Sequence, residues 1–214
     1  MIKSIIFDFD GVILDSNKIK SNAFTKLFKD KNKNQENLDM IIRYHKDNMG
    51  ISRNKKIKFY YENILKQKIT NKEVDKIASD YSKLVFNKII KTKFISGSKY
   101  FLSKNFKRYL FFVSSGTPEN ELINICEKRK IDKYFTGIYG SPDNKEKHIK
   151  RIMKKNSLKE NEVIFIGDAL ADYNAAVKNK IFFIGINYIN NRKNKKNFYI
   201  NNFNEVENII KKIN

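Results

Sequence analysis

An apolar run that stops abruptly at two carboxylates constrains this chain more than any other feature. Ser4-Ile5-Ile6-Phe7 leads directly into Asp8-Phe9-Asp10-Gly11-Val12-Ile13-Leu14-Asp15. A short apolar run of this kind suits a parallel strand covered by helices on both faces. In open α/β sheets, ligands and catalytic groups lie beyond the carboxyl ends of such strands. Two acids placed there would repel by roughly 4 kcal/mol at about 4 Å and an effective dielectric near 20. A cation between them is expected, and a divalent metal is the leading candidate.

Further runs share this design. Tyr109-Leu110-Phe111-Phe112-Val113 precedes Ser114-Ser115, and Val163-Ile164-Phe165-Ile166 precedes Gly167-Asp168. Ile181 to Ile186 forms another run, and Gly137-Ile138-Tyr139-Gly140 a short one. Helical patterns alternate with them, which predicts βαβ units and a parallel sheet. Thr117-Pro118-Glu119 reads as an N-cap, a proline at N1 and a first-turn acid. Ser157-Leu158-Lys159-Glu160 has capping-box spacing, and Val206, Ile209, Ile210 and Ile213 form a closing helical stripe.

Residues 16–93 differ. They hold no strand-like run but several amphipathic stripes: Ile19, Ala23, Phe24, Leu27 and Phe28; then Ile57, Tyr60, Tyr61, Ile64 and Leu65; then Val74 through Ile89, headed by the capping box Thr70-Asn71-Lys72-Glu73. The expectation is an α/β core over residues 1–15 and 94–214, interrupted by a helical insert over 16–93. Asp15-Ser16 and Phe94-Ile95-Ser96-Gly97 would be the hinges.

With 214 residues, 41% of them hydrophobic, the chain can bury a sizeable core. Its formal charge of +21 comes mainly from lysines spread along the whole length. An arginine-rich nucleic-acid surface would look different, so no specific nucleic-acid partner is expected. Steering of anionic substrates is a more modest use of the same field. The polar basic run Asn190 to Asn197 reads as a solvated loop. A single cysteine, Cys126, excludes an internal disulfide and a zinc pattern. No apolar stretch approaches the ~20 residues of a membrane span, and a strand begins almost at residue 1, so a cytoplasmic protein is expected. These features set no oligomeric state.

Asp8-Phe9-Asp10-Gly11-Val12, Ser114, Lys145 and Gly167-Asp168-Ala169-Leu170-Ala171-Asp172 resemble, in order, the four motifs of the haloacid dehalogenase superfamily. The resemblance implies a Rossmann-like fold and a phosphatase that uses Mg²⁺. It assigns Asp8 as the nucleophile that becomes an aspartyl phosphate. Asp10 becomes the acid–base, with a pKa nearer neutrality than a free aspartate has. Ser114 and the Ser115 amide, at a helix N-terminus, and Lys145 would hold the phosphate. Lys147 and Lys150 stand as alternatives to Lys145. Mg²⁺ would be held by Asp8, the Asp10 carbonyl and Asp168, with Asp172 acting through water or behind them.

A helical insert at this position resembles the cap of phosphoglycolate-phosphatase-like and β-phosphoglucomutase-like members. Gly50-Ile51-Ser52-Arg53 resembles their substrate-facing loop, which makes Arg53, and less directly His45 and Asn48, candidates to meet an anionic group. The substrate would be a small phosphorylated metabolite. Lys20 stands where the mutase has a histidine, and Gly167-Asp168 replaces its Glu-Asp pair, so hydrolysis is expected over mutase chemistry. A basic nucleic-acid-binding protein on a retired phosphatase fold is the non-enzymatic alternative, and the intact acids speak against it. His148 reads as a surface or packing residue.

Overall fold

The computed structural model describes residues 1–29, 34–187 and 196–214. Six strands form one fully parallel sheet: β1 (Ser4–Phe7), β2 (Leu110–Pro118), β3 (Gly137–Ser141), β4 (Val163–Gly167), β5 (Phe182–Ile186) and β6 (Asn197–Ile200). Their order is β3-β2-β1-β4-β5-β6. β1 is central, pairing Phe7 with Val113 on one side and with Ile166 on the other. Side chains alternate along a strand, so Ile5 and Phe7 enter one apolar layer while Ile6 enters the opposite one. That two-sided burial is why the run contains no polar position between Ile5 and Phe7.

Helices cover both faces. α5 (Ser98–Asn105), α6 (Glu119–Lys128) and α9 (Val206–Ile213) place Phe101, Leu122, Ile125, Cys126, Val206 and Ile210 on the Phe7 side. The Phe7 ring meets Phe111 edge-on at 5.0 Å there, a favoured aromatic geometry. α7 (Lys145–Lys155) and α8 (Leu170–Lys178) place Ile149, Ile152, Tyr173 and Ala176 on the Ile6 side. The strand order reverses between β1 and β4. Their carboxyl ends therefore open the crevice where such sheets bind ligands, and Asp8 and Asp168 follow those two strands immediately.

Between β1 and α5 the chain forms α1 (Asn17–Lys29), α2 (Gln35–Asp47), α3 (Arg53–Phe59) running into a π-helical turn at Tyr60–Ile64, and α4 (Asn71–Lys91). Thr70 and Glu73 close the expected capping box at the start of α4. The helices meet around Phe24, Phe28, Tyr60 and Tyr81, with the Phe24 and Tyr81 rings 4.2 Å apart. The chain leaves the sheet region and returns to it along one paired crossing. Asp15 N–H donates to Lys93 O at 3.0 Å, and Ile95 N–H donates to Ile13 O at 3.0 Å.

Several local expectations shift. β2 continues through Thr117, so α6 begins at Glu119 and the Thr117 hydroxyl caps nothing. Ser157 adopts a left-handed φ of 51°, and the turn is closed two residues on, where Lys159 N–H donates to Glu162 at 2.8 Å. Most of the basic run at 190–197 lies outside the described residues, but its last member, Asn197, opens the edge strand β6.

Candidate active site

Asp8 is buried at the end of β1. One carboxylate oxygen accepts its neighbour Phe9 N–H at 2.7 Å, and the other lies 2.8 Å from Lys145 Nζ. Burial raises the Asp8 pKa, and Asp172, Asp168 and Asp10 raise it further against the pull of Lys145. Lys145 is the first residue of α7, and it bridges Asp8 and Asp172. Burial alone would favour its neutral form, but Asp172 and Asp8 outweigh that and keep the ammonium charged. Lys147 and Lys150 face solvent, with side chains 69% and 62% exposed, and pair with Asp143 and Glu146. Lys145 alone of the three reaches the acids.

Asp168 follows β4, and its carboxylate accepts from Asn17 Nδ2 at 2.5 Å. Burial and then the charge of Asp172 push its pKa up to about 7. Asp172, fully buried in the first turn of α8, uses one oxygen for Lys145 and the other for the Asp168 and Ala169 N–H groups, at 3.2 and 3.0 Å. Gly11 makes this packing possible. With φ of +77°, it leaves a space where a Cβ would fall 2.0 Å from the Asp168 carboxylate.

These acids suit a hard divalent cation. One oxygen each from Asp8, Asp168 and Asp172 lies within 4.8 Å of the others. All are oxygen donors, as Mg²⁺ prefers, and the raised pKa values of Asp8 and Asp168 reflect burial first and crowded negative charge after it. Asp172 is tied to Lys145 and to the Asp168 and Ala169 N–H groups behind the cavity, while Asp8 and Asp168 line it, which makes these two the carboxylates placed to hold the ion. The Asp10 side chain turns elsewhere. It accepts from Ser16 Oγ at 2.5 Å and pairs with Lys20, which also donates to Thr117 Oγ1 at 2.7 Å. The elevated pKa expected for Asp10 is therefore not found. Burial works toward it, but Lys20 and Ser16 prevail and lower the value.

Of the two serines expected at the phosphate, only Ser115 lines the cavity. The Ser114 side chain is fully buried, and its hydroxyl hydrogen-bonds His148 Nδ1 at 2.9 Å, while His148 Nε2 sits 3.1 Å from Gly140 O. Ser115, Gly116 and Thr117 line the cavity instead. The reason is the length of β2. The strand continues past Ser114, so the pleat turns alternate residues to opposite faces, and the helix N-terminus lies four residues further on.

The opposite wall comes from the inserted helices: Lys20, Phe24, His45, Met49 to Ile51, Arg53, Lys56 and Tyr81. The loop before α3 rests on the sheet side, where a Cβ on Gly116 would fall 2.7 Å from Gly50 O. Arg53 makes the two-pronged contact expected of it, but with a protein carboxylate. Its guanidinium meets Glu121 of α6 at 2.7 and 2.9 Å, lies 4.8 Å above the Tyr81 ring and also donates to Ser82. His45 sits between Ser21 Oγ, at 3.1 Å, and Lys56 Nζ, at 3.4 Å. Burial, then Lys56 and Lys20, lower its pKa to about 3. The sequence carried no signal for Asn17, Lys56 or Glu121, because each belongs to an ordinary helical pattern.

The crevice at the strand reversal, lined by buried acids beside one lysine, belongs to a parallel α/β fold with a ligand site at its switch point. Residues 5–186 match the family model described as haloacid dehalogenase-like hydrolase, and the chain belongs to that family. No curated protein sequence matches the chain. Among solved structures, β-phosphoglucomutase from Clostridium difficile is similar at 22% identity and a TM-score of 0.79, covering 100% of this chain and 97% of its own. A predicted phosphoglycolate phosphatase from Haemophilus somnus is similar at 17% identity and a TM-score of 0.71, covering 98% of each chain. The HAD-hydrolase YfnB from Bacillus subtilis, bound to magnesium, is similar at 14% identity and a TM-score of 0.71, covering 98% of this chain and 99% of its own. At these identities the likeness is one of fold. No helix among the described residues is long and apolar enough to cross a membrane.

Proposed function

We propose that this chain is a Mg²⁺-dependent phosphatase that hydrolyses a small phosphate monoester of a cytoplasmic metabolite through an aspartyl phosphate on Asp8. The observation that carries this reading is the convergence of Asp8, Lys145 and Asp168 at the strand reversal, with Lys145 Nζ 2.8 Å from the Asp8 carboxylate. An Asp8 oxygen attacks phosphorus, and the bond to the leaving oxygen breaks. Lys145 balances the charge on Asp8 and on the phosphoryl oxygens, and the Ser115–Gly116 segment borders the space they occupy. Mg²⁺, held by Asp8 and Asp168, would neutralise the negative charge shared by the nucleophile and the phosphate.

Asp10 handles protons. Ionised by Lys20 and Ser16, it is ready to take the proton of the water that attacks the aspartyl phosphate. To protonate the leaving oxygen in the first half it must gain a proton, which separation from Lys20 favours. The helices between residues 16 and 93 act as a cap that closes over the phosphate and contacts the rest of the substrate.

A phosphosugar mutase is the second reading, supported by the similarity in fold to β-phosphoglucomutase. Phosphate release decides between them. Purified protein should release phosphate from p-nitrophenyl phosphate or acetyl phosphate with Mg²⁺, stop with EDTA, and lose turnover in Asp8→Asn. A mutase would isomerise a sugar phosphate faster than it hydrolyses one, and only with a bisphosphate activator. Undiminished activity in Asp8→Asn would refute the nucleophile.

A further inference from the structure

The cations facing the cavity are not equivalent. Lys145 lies between Asp8 and Asp172, Lys20 is paired with Asp10, and Arg53 is held by Glu121. Lys56 is different. It is 4% exposed, lines the cavity, and makes no ion pair with an acid among the described residues. Its nearest polar neighbours are His45 Nδ1 at 3.4 Å and His45 O at 3.5 Å, both at the outer limit of a hydrogen bond. The Phe24 ring lies 5.8 Å below the amine, and Tyr81, Met49 and Ile51 complete an apolar surround.

We infer that Lys56 forms a cap subsite for a second negatively charged group on the substrate, a carboxylate or a second phosphate, beyond the phosphate that reacts. This rests on the phosphatase reading of the same cavity. A buried amine without a counter-ion is costly to keep charged. Burial, reinforced by Lys20, accordingly lowers its pKa to about 7. An anion arriving in the apolar surround restores the charged form and gains a strong charge-assisted contact, because little water competes there. Arg53, the residue whose sequence context suggested this task, is already occupied by Glu121, and Lys56 stands one helical turn further along α3. The cavity is small, about 60 Å³, so the two anionic groups belong to one compact molecule.

Non-hydrolysable ligands test the subsite without depending on turnover. Binding of propylphosphonate, 3-phosphonopropionate and propane-1,3-bisphosphonate is measured by calorimetry with Mg²⁺ on the full chain and on Lys56→Met, Lys56→Gln and Lys56→Arg. The full chain should bind at least one of the doubly charged ligands roughly tenfold or more tightly than propylphosphonate. The better of the two distinguishes a carboxylate from a second phosphate. Lys56→Met should bring that ratio to within about twofold of one, and Lys56→Arg should retain part of it. Should Lys56→Met not fold, Lys56→Gln supplies the same ratio. Equal binding of all three ligands by the full chain, or a ratio that survives removal of the amine, overturns the subsite alone. Failure of every ligand to bind overturns the phosphate site together with it.

Discussion

The two walls of the cavity are built on different electrostatic plans. On the sheet side, Asp8, Asp172 and Lys145 form a closed set in which each buried charge has a partner on a neighbouring strand end or helix start. On the helical side the charges are mostly basic. One of them, Arg53, is returned to the sheet side through Glu121, while Lys56 forms no ion pair among the described residues. The first plan suits chemistry common to any phosphate monoester. The second suits recognition of whatever the phosphate is attached to. A site divided this way can keep its reaction while its substrate is chosen by a few side chains of the inserted helices.

Removing the cation from the closed set is the harshest challenge to this contrast. Lys145→Met leaves Asp8 and Asp172 buried without a counter-charge, and should lower stability by about 3–5 kcal/mol in urea unfolding. Phosphatase activity should fall ~10²-fold or more in the fraction that folds. A stability change under about 1 kcal/mol would show that the set is not closed. Glu121→Gln probes the link between the walls. Ser82 and the Tyr81 ring remain on the guanidinium, so the loss should be smaller, about 2 kcal/mol. Arg53, freed from its acid, should then tighten binding of a doubly charged phosphonate. Unchanged stability would mean that the clamp does not fasten the helices to the sheet.

The mildest effect is a pH dependence of metal binding. Asp168 binds a proton below about 7 and must shed it to hold a cation. Apparent Mg²⁺ affinity should therefore weaken as pH falls below about 7, by at most about tenfold per pH unit from this group. Above about 7 this contribution should level off. Calorimetric titration across pH 5.5–8.5, roughly the window this shift defines, would show the trend. An affinity that is flat, or that rises on acidification, would remove Asp168 from the metal site.

What the sequence reveals follows the same division between the walls. Asp8, Asp168 and Lys145 are legible because each sits within a residue or so of an apolar run or a helical stripe, and backbone geometry carries it to the crevice. That Ser115 lines the cavity and Ser114 does not is a one-residue matter of where β2 ends, and the pleat converts that single residue into opposite faces. β6 escaped notice because an edge strand of four residues after a basic run has little alternation to display. α2 escaped because only Leu38 and Ile41 of its apolar residues are buried, too few to mark a stripe amid polar neighbours. Arg53, expected to meet an anionic group of the substrate, is gripped in two prongs by a protein carboxylate instead. Its partner, Glu121, lies on another helix, and no local pattern encodes that meeting. Lys56 is hidden for the same reason: among so many lysines, only packing distinguishes one that is buried.

Chemical trapping of the phosphorylated enzyme tests the central claim most directly. The protein is mixed with acetyl phosphate and Mg²⁺, quenched in acid, digested, and its peptides are weighed by mass spectrometry. A phosphoryl group on the Asp8 carboxylate, absent from Asp8→Asn and absent after chelation of Mg²⁺, is the predicted result. Full turnover with no label at Asp8, or a label on a different side chain, would contradict the account.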